Sequence, residues 1–172
     1  TSLEQGTAVE EAGRATVIRA ALAEVIADGD RYRRELDRVA KKACVELAAG
    51  RDTVLTLAQR PTPPSGRRRV LRPTASKAIS EFLGQATRLV TRAVRPGGLL
   101  LCGGDIAIAA CSALGANGLE LQGEVEPGVP WGRLVGGELA GLAAVTKAGG
   151  FGTARTFGRA IRFLRPRGPR TR

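Results

Sequence analysis

Leu99-Leu100-Leu101-Cys102-Gly103-Gly104-Asp105 decides the fold. Leu99 to Cys102 is an uninterrupted apolar run of strand length, a glycine pair follows at once, and the Ala-rich stretch to Leu114 reads as a helix. Strand, glycine turn and helix in that order are the repeating unit of an α/β domain.

The same order continues on both sides. Downstream, Leu119 to Val125 is expected as a strand, the Pro- and Gly-rich stretch from Glu126 to Gly137 as a loop, and Ala143 to Thr146 as a short strand. After Lys147 to Gly152 a basic helix is expected to about Leu164, and then a basic disordered tail over residues 165–172. Upstream, Ile79, Phe82, Leu83, Ala86, Leu89, Val90 and Ala93 share a stripe at helical spacing, starting near Thr74 or Ser76 and ending at Pro96-Gly97-Gly98. Thr53 to Leu57 fits a buried strand. Arg60 to Pro73 combines Pro with clustered Arg and reads as an exposed loop, because Pro cannot donate to a ladder and Arg resists burial. Leu36, Val39, Ala43 and Leu47 mark one face of a helix over residues 30–49, with Gly50 as its stop. Val17, Ile18, Ala21, Leu22 and Val25 suggest another helix from Ala8 to Ala27. Strands alternating with long helices predict a mostly parallel sheet flanked by helices, a Rossmann-like three-layer sandwich, in a single domain over residues 1–164. No internal repeat is visible.

The 172 residues suffice for one domain. A hydrophobic fraction of 43% with 25% charged residues fits a globular chain. No apolar run reaches the roughly 18 residues needed to span a bilayer, and no signal-peptide pattern opens the sequence, so a cytoplasmic location is expected. The net charge of +11 invites a nucleic-acid reading, but its location argues otherwise. Seven Arg and no acid lie between Phe151 and Arg172, five Arg and no acid lie between Arg60 and Arg72, and the remainder is close to neutral. The six aromatic residues, Tyr32, Phe82, Trp131, Phe151, Phe157 and Phe163, are too few for a base-stacking surface. With no His, a Ser-His-Asp triad, a His base and a His-ligated metal are excluded. Cys44, Cys102 and Cys111 form no C-x-x-C pair and read as buried thiols. There is no Met, so the chain reads as a processed product or part of a longer polypeptide.

In open α/β sheets ligands sit beyond the carboxyl ends of the strands. Two glycine turns are expected there. At Gly103-Gly104 the backbone N–H groups can approach phosphate oxygens at the positive end of the following helix. Asp105 is expected at the N-cap, where it either caps the helix or holds a magnesium ion on nucleotide phosphates. The second turn, Lys147-Ala148-Gly149-Gly150-Phe151-Gly152, suits an anion-binding nest of backbone amides, and Lys147 is one of only four lysines in the chain. The alternative is that Lys147 pairs with a surface carboxylate and the glycines only make a tight connection. Neither turn has P-loop spacing, and no G-x-G-x-x-G follows a strand.

Between the turns, Gly123-Glu124-Val125-Glu126-Pro127-Gly128-Val129-Pro130-Trp131-Gly132 has a constrained path. Its Trp131 either walls a pocket or plugs the edge of the core. Glu124 and Glu126 are either acid–base groups or solvated carboxylates.

Gly-Gly-Asp, then Gly-Glu-Val-Glu-Pro-Gly-Val-Pro-Trp-Gly, then Thr-Lys-Ala-Gly-Gly-Phe-Gly, in this order, resembles the C-terminal nucleotide-binding domain of the four-carbon acid sugar kinases. The strong part spans Gly103 to Gly152. The resemblance implies phosphorylation of threonate, erythronate or 3-oxo-tetronate on the terminal hydroxyl with ATP and magnesium. It implies a nucleotide site from Gly103, Gly104, Asp105 and Ile106 together with Lys147, Ala148, Gly149, Gly150 and Gly152, with Asp105 toward magnesium. Three departures stand out. Ile106 replaces the family's Thr, Thr153-Ala154-Arg155 replaces acidic residues after Phe-Gly, and the family's Gly-Ser turn falls just before residue 1 if Ser2-Leu3-Glu4-Gln5 corresponds to its T-x-x-Q.

The expected function is therefore the ATP-binding portion of a sugar acid kinase, inactive without a substrate domain, with no catalytic residue assigned and a homo-oligomer compatible with the sequence. The alternatives are a non-catalytic nucleotide-binding remnant or interaction module, and a nonspecific nucleic-acid binder.

Overall fold

Helices and strands alternate along the chain in a computed structural model that describes residues 2–58, 73–153 and 155–165. α1 (Ser2–Glu11), β1 (Thr16–Ala20), the short α2 (Leu22–Val25), α3 (Asp30–Ala48) and β2 (Thr53–Leu57) form the first part. α4 (Pro73–Ala93), β3 (Leu99–Cys102), α5 (Gly104–Ala113), β4 (Gly118–Glu126), β5 (Val129–Val135), β6 (Ala143–Lys147) and α6 (Thr156–Leu164) follow.

The α/β class is as expected, and the strands form two sheets, one parallel and one mixed. β1 and β2 pair parallel in one, and the other has the order β3-β6-β5-β4. β3 runs parallel to β6, whereas β5 is antiparallel to both β6 and β4. The antiparallel part arises where Glu126 to Gly137 was expected as a loop: Val129 to Val135 is a strand, β5, folded back on β4 through Pro127-Gly128. Gly128, at φ +77°, supplies the turn conformation that L side chains resist. Gly132 and Leu134 are buried on one face of β5 and Val129, beside Trp131, on the other, so both faces of the strand are covered. Pro130 and the glycines disguised that strand as loop.

The expected helix from Ala8 to Ala27 is three elements. α1 ends at Glu11, Gly13 follows at φ +61°, and Thr16-Val17-Ile18 then runs as β1 with Val17 and Ile18 buried. Left-handed glycine is a common helix stop, and β-branched residues pack well on a pleated surface. Helical spacing alone missed both signals.

The main core lies between β1, β2, α3 and α4. Ile18, Val25, Val39, Ala43, Phe82 and Ala86 are buried together, and Tyr32 meets Phe82 edge to face at 5.4 Å. Of the stripe read on α4, Leu89 and Ala93 face solvent while the other members are buried. Gly84 lets α5 approach, since a Cβ there would lie 2.7 Å from the Ala109 carbonyl oxygen. α6 packs on the second sheet through Ala160, Phe163 and Leu164. Arg165 closes α6 and donates to Asp52 Oδ2 from both Nε (2.9 Å) and Nη2 (2.7 Å). The tail expected beyond it and the loop expected over Arg60 to Pro73 lie outside the described residues, apart from the backbone of Pro73. No helix among the described residues is long and apolar enough to cross a membrane.

Candidate functional site

β3 and β6 are parallel neighbours with Cys102 opposite Lys147, the last residue of each strand. The two glycine turns therefore leave the sheet side by side at its carboxyl edge, where α/β folds place their ligands. One hydrogen bond ties them: the Gly103 N–H donates to the Lys147 carbonyl oxygen at 2.8 Å.

In the first turn the N-cap is Gly103, at φ +99°, and not Asp105. Only glycine adopts that backbone readily, which moves the helix start one residue before the expected cap. No side chain caps α5, so the N–H groups of Gly104, Asp105 and Ile106 at its first turn lack intrahelical acceptors and sit at the positive end of the helix dipole. The Asp105 carboxylate is exposed in that turn and makes no hydrogen bond or ion pair among the described residues. The Ile106 side chain instead packs against the main core. Any share of Ile106 in ligand binding falls to its backbone.

The second turn is organised from within. Lys147 is only 3% exposed, and its Nζ donates to the carbonyl oxygens of Ala148 (2.8 Å), Gly149 (3.4 Å) and Phe151 (2.7 Å), above the Phe157 ring at 5.8 Å. It pairs with carbonyls of its own loop, not with a surface carboxylate. In a trans peptide the C=O and the following N–H point in opposite directions. Carbonyls drawn toward the ammonium thus turn the N–H groups of Gly149, Gly150 and Gly152 away from it, the arrangement an anion-binding nest requires. Ala148, Gly149, Gly150 and Gly152 are exposed.

Three residues outside the expected site brace this loop. Gln5 of α1 is buried and donates from Nε2 to the Phe151 carbonyl oxygen at 3.2 Å, while its buried Oε1 has no partner among the described residues. Thr156, fully buried, accepts from the Thr153 N–H at 2.8 Å and donates to Glu126. Glu126 also pairs with Arg159; these two partners, Thr156 first, hold its carboxyl below the usual range. It stays ionised and serves as a brace. Glu124 accepts from the Gly128 N–H at 3.2 Å, within the β4–β5 turn. Phe151, 62% exposed, lies against Gly128, where a Cβ would be 3.5 Å from its ring. Trp131 packs on Phe163 of α6 at 4.9 Å and so plugs the edge of the core. In the sequence, Thr156 carries no local signal and Gln5 enters only through the T-x-x-Q resemblance: their partners lie 30 and 146 residues away, respectively.

Among the described residues no three His, Cys, Asp or Glu side chains cluster as a metal site. Asp105 fits the single-carboxylate role of a magnesium ion carried in by phosphates, which keeps most of its ligands from phosphate and water.

The family model described as "Nucleotide-binding C-terminal domain" matches residues 1–157. A D-threonate kinase of Salmonella typhimurium is 34% identical over 158 residues, 88% of this chain and 37% of that protein. A D-threonate kinase of Bordetella bronchiseptica is 42% identical over 90 residues, 52% of this chain and 22% of that one. A Bordetella bronchiseptica domain of unknown function, solved with bound citrate as a domain-swapped dimer, superposes with a TM-score of 0.73 at 32% identity, covering 95% of this chain and 38% of that chain. A Haemophilus influenzae protein shares the fold at TM-score 0.70 and 18% identity, over 95% of this chain and 37% of its own. The chain thus spans little more than a third of the length of these relatives.

Proposed function

The chain belongs to the nucleotide-binding C-terminal domain family, and on that premise we propose that it is the ATP-binding portion of a kinase that phosphorylates four-carbon sugar acids, threonate, erythronate or 3-oxo-tetronate, on the terminal hydroxyl. Two curated relatives named D-threonate kinase support the reaction class. The observation that carries the site is the juxtaposition of the two glycine turns, joined by Gly103 N–H to the Lys147 carbonyl.

In this reading the phosphates lie between the turns. The amides of Gly104, Asp105 and Ile106 donate from one side, aided by the helix dipole, and those of Gly149, Gly150 and Gly152 donate from the other. Asp105 orients the magnesium that travels with ATP, and that ion neutralises charge on the transferred phosphoryl group. Lys147 holds the loop in shape and touches no phosphate. Phosphoryl transfer also needs the acceptor hydroxyl in line with the terminal phosphate, a task assigned here to protein outside these residues.

Isothermal titration with magnesium ATP tests the site. Gly104→Val and Gly149→Val are clean probes, because a Cβ at either position meets nothing within 4 Å and neither glycine has a positive φ. Wild type is expected to bind and both variants to bind much more weakly; equal binding by all three sinks the site. A non-catalytic nucleotide-binding remnant is the second reading, favoured by Ile106, whose side chain offers no hydroxyl and is turned into the core.

A further inference from the structure

Phe151 is 62% exposed, while the other five aromatic side chains are buried or half-buried. Tyr32 packs with Phe82, Trp131 packs with Phe163, and Phe157 lies under the Lys147 ammonium. A ring left in water forgoes the burial that stabilises the others.

The exposed ring stands on a fixed stem. The Phe151 N–H donates to the Ala148 carbonyl oxygen at 3.1 Å, and the Phe151 carbonyl oxygen accepts from Lys147 Nζ at 2.7 Å and from Gln5 Nε2 at 3.2 Å. Three hydrogen bonds thus fix the backbone on both sides of a side chain that the fold does not bury. Gly128 backs one edge of the ring, since a Cβ there would lie 3.5 Å from its Cδ1 and 3.8 Å from its Cε1. An aromatic residue held in this way loses little freedom when a flat partner covers it.

The place of the ring points to that partner. β5 is antiparallel to β6, with Trp131 opposite Val145 and Arg133 opposite Ala143, so β5 begins where β6 ends. The β4–β5 turn at Pro127-Gly128 therefore lies at the same carboxyl edge as the two glycine turns. β3 and β5 flank β6 on opposite sides, about 10 Å apart. Across this edge come Asp105 and the first turn of α5 on the β3 side, the Gly149 and Gly150 amides in the middle, and Phe151 against Gly128 on the β5 side. A nucleoside triphosphate with its terminal phosphates at Asp105 and the α5 amides runs past the loop amides, and its base arrives at the ring.

We propose that Phe151 is the base-stacking residue of the nucleotide site: its exposed ring takes the purine of the nucleoside triphosphate, while the glycine turns hold the phosphates. This rests on the reading of the two turns as a nucleotide site. Stacking needs only a π-face, so the ring adds affinity for any purine and does not choose adenine over guanine.

Titration calorimetry tests the assignment with magnesium ATP, magnesium GTP and, as a probe without a base, magnesium tripolyphosphate. Phe151→Ala is expected to weaken ATP and GTP alike, by roughly five- to a hundredfold, and to leave tripolyphosphate affinity within about twofold. Phe151→Tyr keeps a ring and is expected to retain both nucleotides. The proposal is overturned if Phe151→Ala weakens ATP and tripolyphosphate equally, because the ring then only shapes the loop. ATP affinity unchanged by that variant also overturns it and places the base elsewhere, as does a Phe151→Tyr variant as weak as Phe151→Ala. In each of these cases the nucleotide site itself stands so long as Gly104→Val and Gly149→Val weaken ATP. A wild-type chain that binds neither ATP nor tripolyphosphate removes the nucleotide site, and the stacking residue with it.

Discussion

Lys147 Nζ donates to the carbonyl oxygen of Phe151 at 2.7 Å, four residues along the same loop, and Gln5 reaches that oxygen from α1. Burying an ammonium is costly unless its N–H groups find acceptors. Here three carbonyls of the glycine loop supply them and are held inward.

Lys147→Met is therefore expected to release the loop. Its carbonyls lose their donor, at a cost of about 1–3 kcal/mol, and exchange of the Gly149, Gly150 and Gly152 amides is expected to speed up as ATP affinity drops. If affinity falls while loop exchange is unchanged, Lys147 contacts the phosphates directly.

Gly150 and Gly152 of the loop differ in what they tolerate. Gly152 sits at φ +83° with a Cβ position only 2.5 Å from Thr156 Oγ1, while Gly150 has nothing within 4 Å. Gly152→Ala is expected to destabilise the fold by about 1–3 kcal/mol in urea titration, and Gly150→Ala to stay within about 0.5 kcal/mol.

Acid sensitivity follows from paired carboxylates. The Arg51 guanidinium, at 2.6 Å, and then the Thr16 hydroxyl, at 2.7 Å, pull the Glu46 carboxyl down to about 2. A depressed folded value, against roughly 4.3 for the unfolded chain, means that the contribution is complete above about pH 5 and fades as pH falls toward about 2. Glu10, Glu24, Glu35, Glu126 and Glu138 are lowered by their own Arg or hydroxyl partners and act in the same direction. In urea midpoints measured across pH, the gap between wild type and Glu46→Gln should stay constant near neutrality and close in acid.

No turnover of D-threonate or D-erythronate is expected from residues 1–172 alone in a coupled ADP-release assay with magnesium ATP. Substrate-dependent ADP release by this chain would place an acceptor site within it.

Local sequence determined much of this protein. Leu99 to Cys102 is apolar enough to be a strand in any setting, and Gly103-Gly104 after it leaves the chain little choice but a turn into a helix. The helical faces of α3 and most of α4, the strand at Thr53 to Leu57 and the two glycine turns were legible for the same reason: near neighbours fix them. Where near neighbours misled, tertiary packing won. Val17 and Ile18 lie at helical spacing, yet pairing of β1 with β2 makes them a strand; Pro130 and Gly132 look like loop, yet β4 and β6 flank β5 on both sides.

Only the tertiary structure decided how the site is built. Lys147 stood out in the sequence as a rare lysine beside glycines, a pattern that suits a phosphate contact and a loop brace equally well. Which of them it is depends on which way the side chain turns at the end of β6, and burial beside Phe157 turns it inward. Gln5 and Glu126 were fixed by contacts with Phe151 and Thr156 across the fold. A sequence specifies such partners only through packing of the whole chain, because the energy that selects them is shared among elements far apart along it.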